Sequence, residues 1–79
     1  MKFVFPLVRS TINTLSSFGN NRIFIHPEDF GLFISIFKDF FEPSLLIDEV
    51  KRGVLGFLSG SEVKCDETIK TGTMVLEYK

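Results

Sequence analysis

Residues 22–29 read Arg22-Ile23-Phe24-Ile25-His26-Pro27-Glu28-Asp29 and lead through Phe30 and Gly31 into a stretch crowded with phenylalanine. This order restricts the fold more than any other part of the chain. Residues 22–26 have the length and apolarity of a strand buried on both faces, with Ile23 and Ile25 pointing one way and Phe24 the other. Pro27 ends that strand and suits the first turn of a helix, where its missing N–H costs nothing. Glu28 and Asp29 follow where the positive end of a helix dipole favours anions, by about 0.3–1 kcal/mol each. The predicted helix covers 28–41. Phe30, Phe33, Ile34, Phe37, Phe40 and Phe41 form one broad face flanked by Ile36, with Gly31, Ser35, Lys38 and Glu42 opposite. A strand through 31–37 is the competing reading. The proline and acids at the start, and the Lys38-Asp39 interruption at helical spacing, favour the helix.

The flanking segments supply what packs around this joint. Val8, Ile12 and Leu15 recur at helical spacing, extended by Val4 and Phe5, and predict a helix over 6–17 that Phe18-Gly19-Asn20-Asn21 stops. After Pro43 and Ser44, a second helix is expected over 44–58, with Leu46, Ile47, Val50, Val54, Phe57 and Leu58 on one side. Gly53 and Gly56 weaken it by about 1 kcal/mol each relative to alanine. Residues 62–66 alternate, with Val63 and Cys65 inward. Met74, Leu76 and Tyr78 alternate with Thr73, Val75 and Glu77. A turn at Thr71-Gly72 makes these an antiparallel hairpin over 62–78. The order is helix, strand, helix, helix, strand, strand, an α/β (α+β) two-layer arrangement in one domain spanning 1–79.

Composition limits function more than it specifies it. A chain of 79 residues has room for one modest core, to which ten phenylalanines contribute much of the buriable area. Nine basic and ten acidic residues are scattered, leaving no electrostatic footprint for nucleic acid or anionic lipid. A lone cysteine, Cys65, cannot form an intramolecular disulfide, which fits a reducing, cytoplasmic compartment. No apolar run is long enough to span a membrane.

The residues with reactive side chains form no catalytic set. His26 is the only histidine and has no Cys or His at ligand spacing, so it reads as structural rather than as a base or metal ligand. Glu28 and Asp29 are adjacent and diverge in a helical turn, which suits capping and dipole compensation better than an acid/base pair. Cys65 reads as a buried thiol, since Lys64 and Asp66 offset one another and its strand phase points inward. Gly53, Gly56 and Gly60 lack the strand, helix and Gly-Lys-Ser/Thr of a phosphate loop. No cofactor or metal pattern is present. The phenylalanine face of Phe30, Phe33, Phe37, Phe40 and Phe41 reads first as core and second as a partner groove, and an open hairpin edge offers strand addition.

Two segments together resemble a known family. Residues 23–29, and the later run Cys65-Asp66-Glu67-Thr68-Ile69-Lys70-Thr71-Gly72-Thr73-Met74-Val75-Leu76-Glu77, are similar to the C-terminal domain of the stator proteins of type III secretion and flagellar export, relatives of rotary-ATPase peripheral stalks. The family pattern has an apolar strand entering a His/Asn-Pro-Glu-Asp helix start. A later strand ends in Asp, with an apolar residue and then a glycine opening the last strand. His26, Pro27, Glu28 and Asp29, then Asp66, Ile69 and Gly72, stand at those positions. The likeness covers about 22–78, with a longer stretch than usual between its halves, and the family's N-terminal coiled coil and closing segment are not among these residues.

The resemblance implies a non-enzymatic structural subunit, cytoplasmic and peripheral to an inner-membrane secretion apparatus. It would contact the N-terminal region of the export ATPase and help anchor it at the sorting platform, with the sorting-platform or C-ring protein as a further partner. The apolar content also allows self-association. The other function class is a small stand-alone adaptor or inhibitor, for example phage-encoded, that binds a host protein. A small enzyme is disfavoured by the missing nucleophile, base and oxyanion donors.

Overall fold

The chain opens as a strand. In the computed structural model, which describes residues 2–17 and 21–78, β1 (Lys2–Pro6) is followed by α1 (Thr11–Ser16) and β2 (Arg22–Ile25). A 3-10 turn (Pro27–Asp29) then leads into α2 (Phe30–Phe37), β3 (Phe41–Pro43) and α3 (Ile47–Lys51), and the chain ends with β4 (Val54–Leu58), β5 (Ser61–Cys65) and β6 (Thr73–Glu77). The α+β class and the expected sequence of helix, strand, helix, helix, strand, strand are present as α1, β2, α2, α3, β5 and β6. Three further strands, β1, β3 and β4, were not anticipated.

The six strands form one mixed sheet in the order β1-β6-β2-β5-β4-β3. β2 runs parallel to β5, with Ile23 opposite Val63, and antiparallel to β6, with Ile23 opposite Leu76. The expected hairpin over 62–78 is therefore corrected. β5 and β6 do run in opposite directions, but β2 lies between them, where both its backbone edges are paired and its apolar Ile23 and Ile25 are fully buried.

The predicted helix over 6–17 shrinks to α1, since Phe3 and Phe5 alternate with Lys2, Val4 and Pro6 and pair with Leu76 and Met74. Pro6 closes this edge strand, a position where its missing N–H leaves no ladder bond unmade. The expected stop over 18–21 falls mostly outside the described residues. The phenylalanine helix ends at Phe37, so Phe40 lies in a turn and Phe41 in β3. The second helix keeps only α3. Gly53, at φ +80°, takes a backbone no helix interior holds, and Val54, Gly56 and Leu58 then point inward at strand spacing.

One layer of helices covers one face of the sheet. Ile23, Ile25, Val63, Leu58, Met74 and Leu76 meet Ile12 and Leu15 of α1 and Phe33 and Phe37 of α2 in a single core, with Phe3, Phe5, Phe30, Ile36 and Phe41 packed at its margin. Phe41 stands edge-on to both Phe30 and Phe33, at ring centroid distances of 6.1 and 5.7 Å. Its ring lies over Gly56, where an added Cβ would sit 2.5 Å from Cζ and would also meet the Glu42 carbonyl. On the opposite face a charged row crosses four strands: Glu77 receives Lys2 and Arg22, each at 3.5 Å, and Glu62 faces Arg52 at 3.8 Å. No helix among the described residues is long and apolar enough to cross a membrane.

Candidate functional site

β2 and the 3-10 turn place the first motif. His26 has extended backbone at the N-cap of that turn, and its Nδ1 accepts the Glu28 N–H at 3.0 Å, so the ring acts as the cap. With Nδ1 accepting, a neutral ring carries its proton on Nε2. Pro27 occupies the first turn, as its fixed φ favours. Glu28 is exposed in the same turn, and Asp29 is buried. Asp29 precedes α2 but makes no side-chain cap to it. Its carboxylate instead reaches 43 positions along the chain, where Oδ2 accepts the Gly72 N–H at 2.7 Å.

The second motif is a loop built to meet it. Asp66 leaves β5 with its N–H donated to the Ile25 carbonyl at 2.8 Å, which ties the loop to the end of β2. Asp66 Oδ1 accepts both the Thr68 hydroxyl, at 2.7 Å, and the Thr68 N–H, at 2.9 Å. Those two bonds, the hydroxyl first, hold the Asp66 carboxyl below its ordinary range. The Ile69 N–H returns to the Asp66 carbonyl, and half-buried Ile69 closes the turn. Gly72, at φ +82°, then presents its N–H to Asp29 and its carbonyl to the Leu7 N–H at 3.0 Å. The seven motif residues thus gather at one end of β2, where the Asp29–Gly72 and Asp66–Ile25 bonds join the two segments.

The phenylalanine face divides. Phe33 and Phe37 are fully buried and Phe30 and Phe41 pack against the core, so these four are taken up internally. Phe40 is exposed, with the Arg9 guanidinium 5.8 Å over its ring while the same group approaches Asp39 at 3.4 Å. Phe40, Asp39, Glu42, Phe57, Ser59 and Gly60 line an open cleft of about 440 Å³ that includes none of the motif residues. Cys65 is exposed, not buried as its strand phase suggested, because it is the last residue of β5; partial burial still pushes its thiol pKa up. Among the described residues, no three His, Cys, Asp or Glu side chains converge as metal ligands.

No family model, curated protein or solved structure matches this chain.

What sequence reasoning missed is that the apolar side of α3 is left exposed. Leu45, Leu46, Ile47 and Val50 are 87, 65, 71 and 60% exposed, and no residue of the helix is buried. The signal that could have found it is the pair Pro43 and Gly53, which bracket an apolar segment too short to fold back onto the core.

Proposed function

We propose that this domain works by holding another protein, as the globular stator-type domain that binds the N-terminal region of a type III export ATPase. The observation that carries the reading is the Asp29–Gly72 hydrogen bond. The two motif halves that resemble the stator family are far apart in sequence, and the fold gives them a shared purpose: one supplies the acceptor, the other the donor, at the end of the central strand. In this role the domain is non-enzymatic and cytoplasmic, sits beside the inner-membrane apparatus at the sorting platform, and has the sorting-platform or C-ring protein as a second partner. The test is co-purification of the protein with the N-terminal segment of a type III export ATPase, with calorimetry to measure affinity. Retention of that segment supports the reading, and absence of binding at micromolar concentrations defeats it.

A second reading is favoured by α3. The bare apolar side of this helix falls in the stretch that is longer than in the stator pattern, where a stand-alone adaptor or inhibitor would carry its docking element. Binding to the export ATPase that survives Val50→Asp separates the stator reading from this one.

A further inference from the structure

We propose that the open cleft beside β3 receives an arginine side chain from a basic segment of a partner protein. The cleft has a volume of about 440 Å³ and is lined by Asp39 and Phe40 from the turn after α2, Glu42 of β3, Phe57 of β4, and Ser59 and Gly60 of the turn between β4 and β5. Two carboxylates and two phenyl rings therefore share one recess, and no basic residue lines it. Glu42 and Phe57 are cross-strand partners, which seats that half of the recess on the sheet itself.

This combination selects an organic cation over a metal ion. Two carboxylates give too few ligands for a divalent cation, and no third His, Cys, Asp or Glu among the described residues joins them. Aromatic walls favour a weakly hydrated, planar cation, and carboxylates favour one with a fork of N–H donors; a guanidinium is both. The fold itself holds an example. Arg9 places its guanidinium 5.8 Å over the Phe40 ring with Nη2 3.4 Å from Asp39 Oδ2, so this ring and this carboxylate already accept the group from the chain's own residue. Arg9 does not line the recess, and Glu42 forms no ion pair or side-chain hydrogen bond among the described residues. An incoming guanidinium thus gains Glu42 and Phe57 outright and shares Asp39 and Phe40 with Arg9.

The open form of the cleft points to an arginine within a polypeptide rather than to the free amino acid. A backbone can pass across the mouth while the side chain enters, whereas the α-carboxylate of free arginine would be brought toward Asp39 and Glu42. This inference is independent of the stator reading, because the recess includes none of the motif residues.

The test is titration of the isotope-labelled full chain, followed by amide chemical shifts, with the blocked tripeptide acetyl-Gly-Arg-Gly-amide at low salt up to about 20 mM, a range that reaches millimolar affinities. The expected result is saturable shifts at the amides of Asp39, Phe40, Glu42, Phe57 and Gly60. The citrulline tripeptide, which keeps the shape and loses the charge, should produce none, and the lysine tripeptide should bind at least about threefold more weakly. Glu42→Gln, at an exposed position, should weaken binding at least about threefold, with its amide spectrum showing that the fold is intact. Arg9→Ala should tighten binding, because Asp39 and Phe40 are then released. Absence of saturable shifts, an equal response to citrulline, or unchanged affinity in Glu42→Gln overturns the proposal. Lysine binding as tightly as arginine, or Arg9→Ala binding no more tightly than the original chain, overturns the choice of a guanidinium. Free arginine binding as tightly as the tripeptide overturns the polypeptide source.

Discussion

Removing the Asp29 carboxylate tests whether the joint at the end of β2 holds the domain together. Asp29 is 8% exposed, and its Oδ2 accepts the Gly72 N–H at 2.7 Å. It makes no side-chain bond to the start of α2, so Asp29→Ala removes the cross-chain contact without removing a hydrogen-bonded cap. A hydrogen bond to a charged acceptor contributes about 1.5–3 kcal/mol, and the orphaned Gly72 N–H is only partly able to reach water. A loss of about 2 kcal/mol lowers the melting temperature of a domain this small by about 8–16 °C. Circular dichroism melts measure the global effect and amide hydrogen exchange at Gly72 the local one. Asp29→Asn keeps an acceptor oxygen and should lose less than half as much. Equal melting temperatures for the original and Asp29→Ala, with unchanged protection of the Gly72 amide, would refute the joint as a stabilising element.

Four other outcomes follow from particular residues. Gly56→Ala drives a methyl into the Phe41 ring and the Glu42 carbonyl, and should destabilise by about 1–3 kcal/mol in urea titrations, with Phe41→Leu relieving part of the loss. Ser44 has a buried hydroxyl with no partner, so Ser44→Ala should leave stability unchanged or raise it slightly in the same titration. Asp66 has a depressed folded-state pKa, so its stabilising effect is present above the unfolded carboxylate pKa and is lost as pH falls through the folded value. Asp66→Asn should therefore flatten the acid limb of melting temperature against pH; an unchanged limb contradicts the Thr68 bonds as its cause. Leu45 is 87% exposed, and Leu45→Ser should shift stability by no more than about 0.5 kcal/mol, read from melts at concentrations where the chain is monomeric.

How far the fold could be read in advance depended on whether periodicity and backbone chemistry agreed. They agree over residues 22–37, where proline and two acids mark a boundary that the apolar pattern also marks, and strand and helix form there. They conflict over 44–58. Val50, Val54, Phe57 and Leu58 satisfy a helical wheel, yet Gly53 takes φ +80° and turns the second half into β4. A helix penalty of about 1 kcal/mol per glycine understates a residue that also permits the turn between two elements. β1 was lost for a related reason: Val4 and Phe5 suit either period, and only pairing with β6 decides between them. The direct bond between the two motif halves was not legible, since nothing local in Asp29 says that its acceptor faces Gly72 rather than the start of α2.

The central place of β2 has a consequence for how the chain reaches this state. Both neighbours of β2 come from the last third of the sequence, and the first strand also waits for β6. A nascent chain emerging from the ribosome cannot assemble the middle of the sheet until β6 is free, so until then β2 has its backbone edges unpaired. Local pairing is confined to the β3, β4 and β5 meander, which makes that meander the natural early nucleus and insertion of β2 beside it the late step. Deleting β6 would therefore strip a partner from β1 and β2 together and leave the strand of Ile23, Phe24 and Ile25 with an unprotected edge.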